Sequence, residues 1–457
     1  MARPNHAATR PAARIRHTTT RMATRPDFSL TASPGRHLPV AVRGEGCRIW
    51  TDDGREYIDA CGGAMVMSLG HGHPRLVEAL KRQADRLTFT YRFSFSNEPM
   101  VELAELLREI SPMPRSWAFF NSSGSESVES AMHLALMHWQ ALGQPQRTRF
   151  VSRWPSYHGS TVGALGLSGT ARRAPFEALL DEDAVAHAPL SDIRSGLDDV
   201  AETARGLAEL EAAILERGPE TVAGVFLEPI TGASAAAVVP PDGYLQGVRE
   251  LCDRHGALMI CDETITGFGR TGTWFAVEQW DVAPDVITFA KGVTSGVVPF
   301  SGMLVAGPVA DVLMASPDGF PVGHTFSGYP LGCAVGAEMV RVIRDEGILD
   351  NARVMGERLR AGLDRIATGS PHVGQVRGLG LLQGIELVED RAALEPRPGA
   401  ALRVAEAARE RGLMIYCCPT ALGDRVIQCV MLAPPLNISA DDVDEILERL
   451  EPAIGAA

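Results

Sequence analysis

The sequence is short of several things, and each shortage excludes something. No apolar run reaches the ~20 residues that a membrane-spanning helix needs, so no segment is expected to cross a bilayer. Positive charge is in deficit: 43 Lys and Arg stand against 56 Asp and Glu, for a formal net charge of -13. That balance argues against a nucleic-acid partner held by a general basic surface. The eight cysteines (Cys47, Cys61, Cys252, Cys261, Cys333, Cys417, Cys418, Cys429) form no C-x-x-C and no zinc-like spacing, so no metal site is expected. Internal repeats, low-complexity linkers and long charge runs are absent. With 45% hydrophobic and 22% charged residues, the composition excludes a disordered, collagenous or coiled-coil chain. A chain of 457 residues exceeds one ordinary core and needs no disulfides to fold. More than one domain, reduced thiols and a cytoplasmic location are the expectations.

Residues 1–26 stand apart, with six arginines (Arg3, Arg10, Arg14, Arg16, Arg21, Arg25) and no acid. They lack the apolar stretch of a secretory signal, and Pro4, Pro11 and Pro26 interrupt any long amphipathic helix. A disordered basic tail is expected there.

From Asp27 onward, short apolar runs alternate with helical periodicity. Strands are predicted at 117–120, 149–152, 222–227, 257–261, 286–290 and 302–306, and helices at 126–142, 207–217 and 242–255. The strands are nearly continuous in Val, Ile, Leu and Phe, as strands buried on both faces are. Alternation of such strands with helices implies a mainly parallel sheet covered on both sides. After about residue 330 the pattern turns to helices at 331–344, 351–366, 400–411 and 440–450 around short strands such as 381–387, which suggests a second, smaller α/β domain.

Three stretches carry chemistry. In Val286-Ile287-Thr288-Phe289-Ala290-Lys291-Gly292 a lysine directly follows an apolar run. A lysine at a strand end usually reaches solvent. Held at the carboxyl end of a buried strand, it is instead partly desolvated, its pKa falls and its amine becomes a nucleophile able to form a Schiff base. Ala257-Leu258-Met259-Ile260-Cys261-Asp262-Glu263 ends a second buried strand in an acid pair, about thirty residues upstream. A turn or cap aspartate is the ordinary explanation. Open α/β sheets, however, bind ligands at the carboxyl ends of their strands. Pyridoxal phosphate needs both a lysine and an acid for its ring nitrogen, and Lys291 with Asp262 meets that requirement. Phe119-Phe120-Asn121-Ser122-Ser123-Gly124-Ser125-Glu126 joins a strand to a helix through small hydroxyl residues. It reads equally as a serine N-cap and as a phosphate site at a helix start.

Two other patterns mislead. Gly267-Phe268-Gly269-Arg270-Thr271-Gly272 matches a dinucleotide fingerprint, but five residues separate it from the strand and no helix follows directly. His71-Gly72-His73 lacks companion metal ligands and reads better as a turn into a helix starting near Pro74.

In this order, these stretches resemble the class III pyridoxal-phosphate aminotransferases of fold type I, in their ω-transaminase-like branch. The resemblance runs from about Pro39 to Pro435. It rests also on Gly70-His71-Gly72-His73-Pro74, Tyr157-His158-Gly159, Glu228-Pro229-Ile230, His324-Thr325-Phe326-Ser327-Gly328 and Ala433-Pro434-Pro435-Leu436. It implies an aspartate-aminotransferase-like large domain with a mainly parallel sheet at 75–330. It adds a smaller α/β domain at 331–457, joined by the N-terminal segment 27–74. It implies pyridoxal 5'-phosphate on Lys291, with Asp262 at the pyridinium nitrogen. Ser123, Gly124 and Ser125 would form a phosphate cup. Tyr157 would stack on the ring, His158 and Gly159 would shape its loop, and Glu228 would lie near the phenolic oxygen. Thr325 would reach the phosphate of a partner subunit, which makes the expected assembly a homodimer with shared active sites. The implied reaction moves an amino group from donor to acceptor by a ping-pong path through a Lys291 Schiff base.

The chain departs from the family pattern in two places. Many members carry Val-Gln after Asp-Glu; here Thr264 and Ile265 stand there, and isoleucine cannot hydrogen-bond the phenolic oxygen. Members that bind a substrate carboxylate carry an arginine before the Pro-Leu strand, and here that position is Met431. Arg425 is the nearest basic candidate, while Tyr416, Cys417 and Cys418 occupy the region where that arginine is expected. An amine or ω-amino acid donor and a pyruvate-like keto acid acceptor follow, with Met65, Val66 and Phe95 expected at the substrate pocket. The rival readings are an aminomutase, epimerase or decarboxylase on the same cofactor, or a non-catalytic pyridoxal-phosphate-binding protein.

Overall fold

The structure, a computed structural model, describes residues 30, 38–191, 195–422 and 425–456. The basic tail at 1–26 lies outside the described residues. Seven strands form the central sheet, in the order Trp117–Asn121, Ser301–Val305, Val286–Phe289, Leu258–Asp262, Val222–Leu227, Arg149–Trp154, Val185–Pro189. Ser301–Val305 runs antiparallel to both of its neighbours, and the remaining strands are parallel.

The strand composition explains this layout. Every residue of Val222–Leu227, Leu258–Asp262 and Val286–Phe289 is buried. Successive side chains alternate between two cores: Val225, Leu227, Met259, Cys261 and Ile287 join one, while Ala223, Phe226, Leu258, Ile260 and Val286 join the other. Each fully buried Val, Leu, Ile or Phe contributes about 1.5–3 kcal/mol, which offsets a backbone ordering cost of about 1–2 kcal/mol per residue. Helices Gly124–Ala141 and Asp199–Arg217 lie among those covering the sheet, the first packing against the strand Ser301–Val305 and the second against Val185–Pro189.

Two departures from the expected elements have simple causes. Asp199–Arg217 starts eight residues before the expected 207. Asp198 caps it by accepting the Ala201 N–H at 2.9 Å, with Asp199 and Glu202 in the first turn. The edge strand Val185–Pro189 escapes pattern reading because it carries His187 and Pro189 and is buried on only part of its length.

An N-terminal segment and a C-terminal one meet. Ala41–Glu45, Arg48–Thr51 and Glu56–Asp59 form an antiparallel sheet to which Leu413–Met414 adds in parallel, with Leu413 opposite Ile58. A further sheet of Val373–Leu379, Leu382–Asp390, Arg425–Leu432 and Tyr416–Cys417 is covered by helices that include Ile348–Gly369 and Ala400–Glu410. Helix Pro74–Arg86 begins with proline at its first position, after His73. His71 lies 3.7 Å from Asp59 and His73 lies 3.4 Å from Glu346, so the two rings have separate partners. All eight cysteines are free thiols. Among the described residues no helix is long and apolar enough to cross a membrane.

Candidate active site

The carboxyl ends of the parallel strands deliver the candidate side chains to one place. Leu258–Asp262 ends on Asp262, Val222–Leu227 is followed by Glu228, and Val286–Phe289 by Ala290 and Lys291. Arg149–Trp154 runs into the loop of Tyr157, His158 and Gly159, and Trp117–Asn121 runs into the start of helix Gly124–Ala141. A cavity of about 180 Å³ is lined by Gly124, Ser125, Tyr157, His158, Gly159, Glu228, Asp262, Ile265 and Lys291 among others. These residues are spread over more than 160 positions of sequence and meet because the strands end together.

Asp262 is fully enclosed by protein. Burial works to raise its pKa, but the His158 hydrogen bond and charge, with help from Thr264, hold it below the ordinary carboxylate value. His158 Nδ1 lies 2.9 Å from Asp262 Oδ2. Oδ1 accepts the Thr288 hydroxyl and the Thr264 N–H, both at 3.1 Å. His158 is itself pinned: its ring lies 3.3 Å from the Ser152 hydroxyl, and its N–H donates to Ser168 Oγ at 2.8 Å.

Lys291 retains partial exposure within the cavity. Desolvation by its surroundings pulls its pKa down to about 8, against the opposing pull of Asp262 and Glu228, while Arg270 lowers it further. Its φ of 41° lies in the left-handed region, a conformation costing of order 1–3 kcal/mol that persists only where the surroundings enforce it. Here Val293 N–H returns to Ala290 O at 3.1 Å and Thr294 N–H to Lys291 O at 3.3 Å, closing a tight turn around the lysine.

The two remaining acids do different work. Burial raises the pKa of Glu228, whose oxygens accept the Tyr157 N–H at 2.8 Å and the Gly232 N–H at 2.5 Å. Glu263 points away from the cavity. Burial lifts its pKa to about 7, and it accepts the Thr266 hydroxyl and the N–H groups of Ala276 and Val277 at 2.9 Å, so it holds the following loop.

At the other end of the cavity, Ser123 is committed to its helix. Its hydroxyl accepts the Glu126 N–H at 3.3 Å, and the Glu126 carboxylate accepts the Ser122 and Ser123 N–H groups at 2.9 Å, a complete capping box. Ser123 does not line the cavity. Gly124 and Ser125 do, and they belong to the first turn, whose N–H groups have no intrahelical partner. Gly159 binds this turn to the Tyr157 loop. Its φ is +144°, and a Cβ there would lie 2.5 Å from Ser125 Oγ. Ser125 Oγ in turn accepts the Ser160 N–H at 3.0 Å.

The substrate candidates are placed less centrally. Met65 is buried in one apolar cluster with Ile230 and Met431, and Ile265 packs against it. Val66 is half-buried, and Phe95 and Thr325 are exposed. Arg425 sits at the start of Arg425–Leu432, 3.4 Å from Glu395, and lines neither the lysine cavity nor its neighbour. Met431, the position where family members carry a carboxylate-binding arginine, lies six residues further along the same strand, fully buried. Thr288, Ser152 and Ser168 were not singled out by sequence reading, because a hydroxyl that supports another side chain across the fold leaves no local pattern.

The dinucleotide-like run has a structural role. Gly272 has φ +87°, and a Cβ there would meet the Arg353 side chain at 2.3 Å. Arg270 is buried and donates to Leu381 O at 3.2 Å and Pro434 O at 2.5 Å, tying the central sheet to the C-terminal segments.

Known proteins share this fold. The family model for class III aminotransferases matches residues 31–454. An uncharacterised aminotransferase of Bacillus subtilis is 35% identical over 424 residues, 92% of this chain and 95% of its own. Among solved structures, an (S)-enantioselective ω-transaminase from Thermomicrobium roseum superposes with a TM-score of 0.85 at 36% identity, covering 92% of each chain. An ω-transaminase from Pseudomonas jessenii in complex with PMP does so with a TM-score of 0.85 at 33% identity, again covering 92% of each.

Proposed function

Since the chain belongs to the class III aminotransferases, we propose that it moves an amino group from an amine or ω-amino acid to a pyruvate-like keto acid in two half-reactions of ping-pong type. The observation that carries this reading is Lys291, an amine whose pKa is brought down to about 8, sharing a cavity with the ionised Asp262 and the start of a helix.

Class III aminotransferases depend on pyridoxal phosphate, and the residues present fit it. The cavity offers a nucleophilic amine, an ionised acid, an anion-accepting helix start and the buried Thr264 hydroxyl, which has no hydrogen-bond partner among the described residues. Lys291 would hold the cofactor covalently, Asp262 would face its ring nitrogen, and Gly124 and Ser125 would take its phosphate. Tyr157, Glu228 and Ile265 would border the ring. When bound, this cofactor supplies a carbonyl that accepts the amino group and a ring that withdraws electrons from the bond being broken.

The protein's own groups do the rest. Asp262, kept ionised by His158, holds a proton on a nitrogen placed against it. Lys291 Nζ, with its proton affinity brought near neutral pH, accepts a proton from the substrate carbon and returns it. Asp262 and Glu228, both buried, keep bulk water from their part of the cavity lining.

The same reading extends to assembly. Phe89, Tyr91, Phe93, Phe95, Trp117 and Phe326 are exposed aromatics concentrated around one segment, and a patch of this kind marks an interface. We assign it to a homodimer in which Phe95 and Thr325 serve the partner's site. Free thiols throughout support a cytoplasmic location.

The experiment is direct. Purified protein with added pyridoxal phosphate, an amine and pyruvate should form alanine, and Lys291→Ala should form none. Conversion of a single substrate without any acceptor would favour an aminomutase or epimerase instead. Light scattering should give twice the chain mass, and a monomer at micromolar concentration would refute the shared-site assignment.

A further inference from the structure

Beside the lysine cavity lies a second one of about 110 Å³, and Tyr157 lines both. The second cavity also takes in Arg172, Ser234, Pro419, Thr420 and Ala421. Arg172 is the charged residue in this lining, and no acid accompanies it.

The two adjacent arginines of the short helix Ala171–Leu179 have different fates. Arg173 is buried and donates to Glu182 at 2.7 Å. Arg172 is exposed in this cavity lining and makes no ion pair among the described residues, and its guanidinium rests over the Tyr157 ring, 5.4 Å from the centroid. A ring face orients a guanidinium and leaves its N–H edges open to a planar anion. The Ser234 hydroxyl lines the same cavity, buried and without a hydrogen-bond partner among the described residues. A buried hydroxyl lacking a partner and an unpaired arginine in one small cavity together ask for an acceptor of negative charge. Thr420, whose hydroxyl donates to Cys418 O at 3.3 Å, lines the same cavity.

We propose that Arg172 and Ser234 form the subsite for a carboxylate at the far end of the amino donor. This makes the donor an ω-amino acid rather than a neutral amine. The amine end lies at Lys291, the chain passes the Tyr157 ring, and the carboxylate meets the guanidinium edge. The inference rests on the transaminase reading for the amine end alone. It also accounts for the apolar Met431, since the carboxylate is bound from the Tyr157 side.

The test compares straight-chain ω-amino acids with alkylamines carrying methyl in place of the carboxylate, using the holoenzyme. The wild type should prefer the amino acid. In Arg172→Gln the ratio of the two kcat/KM values should fall by about tenfold or more, Arg172→Lys should recover part of it, and Ser234→Ala should lower it by about threefold. A ratio unchanged in Arg172→Gln overturns the proposal, as does a wild-type preference for the alkylamine. Calorimetry with glutarate, which has no amine and no keto or aldehyde group, separates this from the reaction itself. Loss of glutarate binding in Arg172→Gln, in a protein that transaminates nothing, would retain the subsite and reject the reaction. Turnover of amines with glutarate binding indifferent to Arg172 would do the reverse.

Discussion

Removing the His158 ring tests the electrostatic core of the site. His158 Nδ1 lies 2.9 Å from Asp262 Oδ2 in a fully enclosed setting, and the histidine is the chief influence opposing the burial of that carboxylate. A hydrogen bond to a charged group contributes about 1.5–3 kcal/mol. One pKa unit corresponds to about 1.4 kcal/mol, so His158→Leu should raise the Asp262 pKa by about one to two units. The sign follows from the direction of the native shift. Asp262 is held low, so weakening that hold lets it take up a proton at higher pH. The acid limb of the kcat/KM profile should therefore move upward, and cofactor affinity at neutral pH should fall by about ten- to a hundredfold. Absorbance titration with pyridoxal phosphate and a pH series of initial rates would measure both. His158→Gln, whose amide can still donate to the carboxylate, should recover part of each. The Thr288 hydroxyl and the Thr264 N–H remain on Oδ1, so the site should not collapse. An acid limb that stays in place in a folded His158→Leu variant would refute the assigned role.

Two further outcomes follow from the same geometry. Burial lowers Lys291 from 10.5 to about 8, so the neutral amine becomes the main form above about pH 8. Uptake of pyridoxal phosphate by the apoprotein should accelerate as pH rises through 8 and level off above it; a rate still climbing toward 10.5 would show an unperturbed lysine. Gly159→Ala places a Cβ 2.5 Å from Ser125 Oγ at a φ of +144°, so it should cost about 1–3 kcal/mol in urea unfolding and weaken cofactor binding; a stability equal to the wild type would mean that the loop has room.

The legible parts of this protein share a property: their signal is local. The strand Val222–Leu227 was readable to its last residue because all six positions are buried and apolar. Helix Gly124–Ala141 announced itself through Ser123 and Glu126, three residues apart, which form its capping box. Lys291 and Asp262 stood out in the sequence because Asp262 ends one such strand and Lys291 lies two residues past another. Arg172 was not, because nothing beside it in sequence distinguishes it from Arg173; its partner Tyr157 and the Ser234 hydroxyl come from other loops. The pair His158 and Asp262, 104 residues apart, was invisible for the same reason.

The order of apolar runs along the chain was enough to determine a mainly parallel sheet, and the resemblance of its ordered motifs gave the family. Burial of a hydrophobic strand on both faces is specified by the strand's own residues. Proton affinities and partner choice were decided only in three dimensions. Whether Lys291 titrates near 8 and which acid stays ionised depend on how much water and charge the distant loops bring to each atom.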